Sequence, residues 1–260
     1  MRTLMFGVVG VLSTTFFSVC ALAGALVRAP RGYYDWIHRR WAGSLLLAAG
    51  ISVRVEGLEK VRRDRPQIFV SNHQSIFDIF ALFAALPVSI RFVAKKELSR
   101  IPIFAQAMRA AGHVFIDRKD RRAAIEVMRA AGRRMDRETL CLALFPEGTR
   151  SRSGRLGPFK KGTFVLAIQT QADLVPVGMD GGRRILRPGR RRITPGPMVL
   201  RVGEPFPTAG LTIDDRDEVV VAMREAVVGL LPGEGEENGG ADAAAGAGGA
   251  APPLSPTDPA

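Results

Sequence analysis

The chain has 260 residues, 47% hydrophobic and 24% charged, a balance that excludes wholesale disorder. Its two cysteines, Cys20 and Cys141, both lie inside apolar runs, which excludes a disulfide scaffold and a thiolate metal cluster. The formal charge of +12 is uneven, because the segment from Gly233 onward holds five acids and no Lys or Arg; the basic remainder suits an anionic partner, whether nucleic acid, membrane surface or phosphorylated substrate.

Thr3 to Val27 is a run of 25 residues without a charge. About 20 apolar residues span a bilayer, so the run is long enough to cross one. Ala21-Leu22-Ala23 also resembles a signal-cleavage site, and a buried core helix is a third reading. Arg2 alone is a thin positive flank, and the run exceeds a usual signal core, so residues 1–30 read as a retained transmembrane anchor. Arg28, Arg31, Arg39 and Arg40 follow it, which by the positive-inside rule sets the rest on the cytoplasmic side of the cell (inner) membrane.

Both tyrosines and both tryptophans fall between Tyr33 and Trp41, interleaved with arginines, as in an interfacial belt. Trp41–Val53 is apolar but too short to span comfortably. Residues 31–50 therefore read as an interfacial helical segment, with a packed helix of the body as the alternative.

From residue 51 the pattern changes to short apolar runs alternating with helical ones. Strands are expected at Ser52–Glu56, Gln67–Ser71, Arg91–Ala94, His113–Ile116, Leu140–Phe145, Leu174–Gly178 and Met198–Val202. Helices are expected at Ser75–Leu86, opening on a capping-box pattern, and at Asp120–Met135, Gly162–Gln171 and Asp214–Leu231. This alternation predicts an α/β sheet covered on both faces, over residues 51–231. Residues 232–260, rich in Gly, Ala, Pro and acids, read as a disordered tail.

Of three histidines, His73 stands out, after an apolar strand and just before a capped helix. The crevice beyond the carboxyl end of a strand is where α/β sheets bind ligands. Asp78 is five residues on; a single helix would set the two about 140° apart, whereas a turn followed by a helix start can pair them. An imidazole oriented by a carboxylate is a general base for a hydroxyl. The plainer alternative has Asp78 only capping its helix. Two further strands end in polar groups, Phe115-Ile116-Asp117-Arg118 and Leu144-Phe145-Pro146-Glu147-Gly148-Thr149-Arg150. Arginine forks suit phosphate, so the three ends together suggest an anion pocket.

Asn72-His73-Gln74-Ser75-Ile76-Phe77-Asp78 resembles the H-x4-D block of the glycerolipid acyltransferases, which include the lysophosphatidic acid acyltransferases. Lys95-Lys96-Glu97-Leu98 with Ile101-Pro102-Ile103-Phe104 and Phe115-Ile116-Asp117-Arg118 resembles their second block. Phe145-Pro146-Glu147-Gly148-Thr149-Arg150-Ser151 resembles the third and Val175-Pro176-Val177 the fourth, all in order over residues 70 to 180. Ala105 and Gly178 depart from the usual glycine and apolar residue at their positions.

The resemblance implies a largely parallel mixed sheet and acyl transfer to a lysophospholipid, 1-acylglycerol-3-phosphate first, giving phosphatidic acid. It implies His73 as base and Asp78 as its partner, and Arg118, Glu147, Gly148, Thr149 and Arg150, with Lys95 or Lys96, as the phosphate and glycerol site. It implies acyl-CoA or acyl carrier protein as co-substrate, and no cofactor or metal. Other readings are the same chemistry on another lysolipid, such as a lyso-ornithine lipid, or a non-catalytic membrane scaffold. Nucleic acid is not expected as a partner, since the chain lacks a zinc-finger pattern and carries a membrane run. The arginines from Arg183 to Arg192 are expected to face lipid headgroups or a phosphorylated carrier.

Overall fold

A computed structural model describes residues 2–117 and 120–232. Two helices open the chain, α1 (Arg2–Leu26) and α2 (Arg31–Ala49). The strands are β1 (Ile51–Glu56), β2 (Gln67–Ser71), β3 (Ile90–Lys95), β4 (Val114–Ile116), β5 (Cys141–Leu144), β6 (Asp173–Asp180) and β7 (Gly196–Val202). Between them lie α3 (Phe77–Ala85), α4 (Phe104–Ala110), α5 (Arg121–Glu138), α6 (Gly162–Thr170) and the short α7 (Gly182–Ile185); α8 (Arg216–Gly229) follows β7. The sheet order is β1-β7-β6-β2-β5-β3-β4, parallel except where β6 meets β7. Each expected strand and helix from residue 51 onward has its counterpart.

Strand alternation builds the layers. Phe69 of β2 joins the core made with α2 and α3, while Ile68 and Val70 join the core made with α5, α6 and α8. In β5, Cys141 and Ala143 face the first core and Leu142 and Leu144 the second. Both faces are covered, which is why these strands read as unbroken apolar runs. Phe69, Phe77 and Phe164 are fully buried, each contributing roughly 1.5–3 kcal/mol.

One face of α2 belongs to the first core, through Leu45, Leu46 and Ala49; Trp36 and Leu47 on its other side are exposed. The helix ends on Gly50 at φ 70°, and β1 starts directly after it. The apolar stretch Trp41–Val53 is thus a helix end, a left-handed turn and a strand start. Asp35 of α2 accepts from Arg91 Nη1 of β3 at 2.7 Å and from Ser89 Oγ, a largely buried tie between helix and sheet.

α1 is the one helix among the described residues long and apolar enough to cross a membrane. It lies along the body from end to end. Thr3 Oγ1 accepts from the Ile193 amide at 3.1 Å, and Phe6 meets Phe77 edge-on at 5.2 Å. Trp41 Nε1 donates to Thr14 Oγ1 at 3.0 Å, and Tyr33 Oη donates to the Cys20 carbonyl at 2.8 Å. Aromatic residues expected to form a belt therefore also fasten α1 to α2. The opposite side of α1 exposes Leu4, Val8, Val11, Leu12, Phe16 and Val19, a stripe at helical spacing.

Gly178, where the resemblance expects an apolar side chain, has a physical account. A Cβ there would come within 2.6 Å of Leu230 Cβ, so the residue following α8 fills that space from the other side. Residues 233–260 of the expected tail lie outside the described residues.

Candidate active site

β2 is central, between β6 and β5, and its carboxyl end opens into the loop that carries His73. Asn72 fixes the start of that loop: its Nδ2 donates to the Met179 carbonyl and its Oδ1 accepts from the Met179 amide, both at 2.8 Å. His73 Nδ1 then lies 2.9 Å from Asp78 Oδ2, and the same oxygen accepts the amides of Gln74 at 2.7 Å and Ser75 at 2.8 Å. Asp78 sits in the first turn of α3, 1% exposed. The capping box is only half made, because the Ser75 hydroxyl donates to the Leu186 carbonyl instead of capping α3. Gly182 packs on the other carboxylate oxygen, where a Cβ would stand 2.5 Å from Oδ1.

A carboxylate only accepts, so His73 Nδ1 carries the proton and Nε2 keeps its lone pair. The ring stacks on Phe145 at 4.0 Å and 13° and lines a cavity. Its side chain is 13% exposed.

β5 delivers the second loop. Glu147 Oε1 accepts the His73 amide at 3.0 Å and its Oε2 accepts the Gly157 amide at 3.0 Å. The Ser151 amide donates to the His73 carbonyl at 2.7 Å. Glu147 therefore braces the two loops against each other, and it is not part of the cavity wall. Gly148 is left-handed at φ 72°, and a Cβ there would come within 2.7 Å of Lys160 Nζ. Gly148, Thr149, Arg150 and Lys160 line the cavity with His73, and Thr149 and Arg150 are exposed at its rim. Lys95 also lines it and pairs with Glu97 at 3.1 Å, whereas Lys96 turns to Asp117 at 3.1 Å, outside the wall. Arg118 lies outside the described residues. Lys160 stands next to Lys161 in a basic stretch rich in Gly and Ser, and nothing in that stretch singles it out.

The cavity holds about 830 Å³. Phe17 of α1, Trp41 of α2, Phe80 and Phe83 of α3, and Phe104 and Met108 of α4 supply its apolar wall. A polar rim beside an apolar interior fits an amphipathic ligand.

His38 and His113 also line this cavity. His113 Nδ1 accepts from the Phe92 amide at 3.0 Å, so its Nε2 carries the proton and meets His38 Nε2 at 3.0 Å. Burial holds His38 well below the usual histidine range, with His113 and Arg91 adding to the effect. Burial lowers His113 to about 3, helped by the charges of Arg91 and Arg134. Both are neutral in the fold, but in the unfolded chain they take protons near pH 6.5. A depressed native pKa gives stability that is complete above the unfolded value near 6.5 and lost as pH falls from there toward 3. Each histidine is expected to cost up to about 1.4 kcal/mol per pH unit in that window. Urea midpoints measured from pH 7 to 5 check this, and His38→Gln should leave a shallower slope.

The Cys141 thiol is buried and pushed up to about 11, chiefly by that burial, which disqualifies it as a nucleophile at neutral pH. Among the described residues no three His, Cys, Asp or Glu side chains gather as a metal site.

The site sets an imidazole held by a carboxylate at the carboxyl edge of a largely parallel sheet, between a cationic rim and an apolar cavity, an arrangement able to take a proton from a hydroxyl. Residues 52–180 match the family model described as Acyltransferase. The chain is 36% identical over 190 residues to the 1-acyl-sn-glycerol-3-phosphate acyltransferase of Limnanthes douglasii, covering 73% of this chain and 67% of that one. It is 36% identical over 178 residues to the human 1-acyl-sn-glycerol-3-phosphate acyltransferase beta, covering 68% and 64%. The crystal structure of the Thermotoga maritima 1-acyl-sn-glycerophosphate acyltransferase PlsC superposes with a TM-score of 0.76 at 28% identity, over 88% of this chain and 93% of that one. The chain belongs to the acyltransferase family.

Proposed function

We propose that this protein transfers an acyl group from a thioester, acyl-CoA or acyl carrier protein, to the free hydroxyl of 1-acylglycerol-3-phosphate, producing phosphatidic acid for phospholipid synthesis. The observation that carries the reading is the His73–Asp78 dyad, 2.9 Å apart, on the wall of an apolar cavity with a cationic rim. His73 Nε2 takes the hydroxyl proton as the oxygen attacks the thioester carbonyl. The new C–O bond forms, the C–S bond breaks, and the departing thiolate takes the proton back from the imidazolium. Asp78 keeps the ring in the useful tautomer and offsets its transient charge. No acyl-enzyme is needed, and no cofactor enters the scheme.

Arg150 and Lys160 are assigned to the acceptor phosphate, with Thr149 and the Gly148 backbone beside them, and the apolar cavity to an acyl chain. Arg150→Gln is expected to raise KM for the lysolipid about ten- to a hundredfold, the loss of one hydrogen bond to a charged group. KM for the thioester should stay unchanged; a shift in the donor term alone would reassign the residue. Arg118 and Lys95 remain proposed helpers at the same phosphate. In this reading Lys96 stands apart from the phosphate, paired with Asp117 at 3.1 Å, and Glu147 braces the two loops through the amides of His73 and Gly157.

The exposed stripe of α1 is proposed to rest in a bilayer, as a membrane anchor for residues 1–30, with the arginines after it on the cytoplasmic side of the inner membrane. Thr3 and Cys20 both bond to the body, which supports a helix seated along the surface more than one standing away from it. The test of function is transfer by the purified chain from labelled acyl-CoA and acyl carrier protein to a panel of lysolipids. Preferred transfer to 1-acylglycerol-3-phosphate is the expected result. Preferred transfer to another lysolipid would keep the chemistry and replace the acceptor, and no transfer from either donor would overturn the reading.

A further inference from the structure

The segment joining α7 to β7 brings arginines to one edge of the molecule. Arg184 pairs with Asp180 at 2.7 Å, and Arg183 donates to the Arg152 carbonyl. Arg187, Arg190, Arg191 and Arg192 are exposed, and none has a carboxylate within ion-pair distance among the described residues. The segment is held in place: Thr194 N donates to the Ile185 carbonyl at 3.0 Å, Arg190 N to the Arg187 carbonyl at 3.0 Å, and Ile193 is buried in the core. The Ile193 amide is the group bonded to Thr3 Oγ1, so the arginines adjoin the first turn of α1. Arg2 joins them, its guanidinium lying against Gly50 beside Pro195. Directly beyond stand the exposed Leu4, Met5 and Val8.

Four solvated guanidinium groups next to an apolar helix face make two demands on a partner. It must be anionic, and beside its charge it must offer hydrocarbon. A soluble acidic protein meets the first demand and leaves Leu4, Met5 and Val8 in water. A bilayer containing anionic phospholipid meets both, with phosphates at the level of the arginines and acyl chains below. We propose that Arg187, Arg190, Arg191 and Arg192, with the first turns of α1, form a docking surface for anionic phospholipid headgroups. The inference rests on the reading of α1 as membrane-seated and adds lipid selectivity to it. Arginine suits this place because its planar fork takes two phosphate oxygens at once.

The test uses the full chain and vesicles of phosphatidylcholine alone or mixed with phosphatidylglycerol, with binding read by co-sedimentation across a salt series. The comparison is a variant carrying Arg187→Gln, Arg190→Gln, Arg191→Gln and Arg192→Gln. Wild type is expected to bind the mixed vesicles more tightly, and the variant to lose that gain, up to roughly a thousandfold at low salt, with a flatter salt dependence. The variant should keep wild-type binding to phosphatidylcholine, and its kcat on soluble thioester and lysolipid in detergent micelles should match wild type, which also shows that it folds. Equal wild-type binding to both vesicles, or an unchanged variant, would overturn the lipid selectivity alone. A variant that binds vesicles normally but loses rate only with acyl carrier protein would assign the arginines to that carrier instead. Failure of the wild type to bind either vesicle would remove the membrane seating itself.

Discussion

His73→Ala is expected to reduce acyl transfer about 10²- to 10⁴-fold, the usual contribution of a positioned general base, with little change in KM for either substrate. The loss falls on kcat because the imidazole acts on a proton in flight and holds neither substrate tightly beforehand. Folding should survive. The side chain is 13% exposed, and removing it leaves Asp78 Oδ2 still accepting the amides of Gln74 and Ser75. Asp78→Asn should cost a comparable factor for a different reason, since an amide can donate to Nδ1 and favour the wrong tautomer. It should also destabilise the loop, because an amide nitrogen in the place of Oδ2 would face the Gln74 and Ser75 N–H groups, and a neutral amide oxygen there would accept them more weakly than the carboxylate does. Single-turnover rates beside thermal unfolding separate these effects. A His73→Ala protein that folds and turns over at the wild-type rate would remove the base assignment.

Glu147→Ala is expected to be the second most damaging change, although Glu147 touches no substrate in the proposed scheme. Its two oxygens hold the amides of His73 and Gly157, each at 3.0 Å. Hydrogen bonds to a charged acceptor are worth about 1.5–3 kcal/mol each, so a stability loss of about 3 kcal/mol or more is expected. A misplacement of about 1 Å at the reacting group costs on the order of a hundredfold, so kcat should fall by that order. Glu147→Gln keeps one accepting oxygen and should be intermediate in both measures. If instead stability and kcat held while KM for the lysolipid rose, Glu147 would be a substrate ligand, as the sequence resemblance implied.

The strands were legible because burial on both faces leaves little room for polar residues in β2, β5 or β6, and turn residues mark their ends. The dyad was legible because loop and helix start are contiguous, so five residues of spacing carry the geometry. What escaped depends on contacts between distant segments. Glu147 reads as a rim carboxylate in its own loop, and only the approach of the His73 and Gly157 amides gives it another task. Phe145 looks like the last residue of an apolar strand until its ring is found flat against His73. Lys160 has Lys161 beside it in the sequence, and only the fold brings its ammonium, and not that of Lys161, against Gly148. α4 is short and follows Pro102, so no periodic run announced it. For α2 both readings had substance: Leu45 and Leu46 are core, while Trp36 and Leu47 are exposed.

The place of α1 bears on how a soluble form of this protein could be made. Thr14, Phe17, Ser18 and Ala21 are part of the cavity wall, while Leu12, Phe16 and Val19 face outward from the same turns. A cut before Gly32, the obvious way to shed the greasy leader, would unroof the chamber that the other helices enclose on their own sides. The truncated body would keep its dyad and its loops, yet offer an acyl chain a trough that lacks the wall α1 supplies. Chain-length discrimination measured on such a fragment would describe the trough. The outer and inner faces of α1 are separated by one helix diameter, about 10 Å, so whatever solvates the outer face, detergent or lipid, presses on a wall of the chamber.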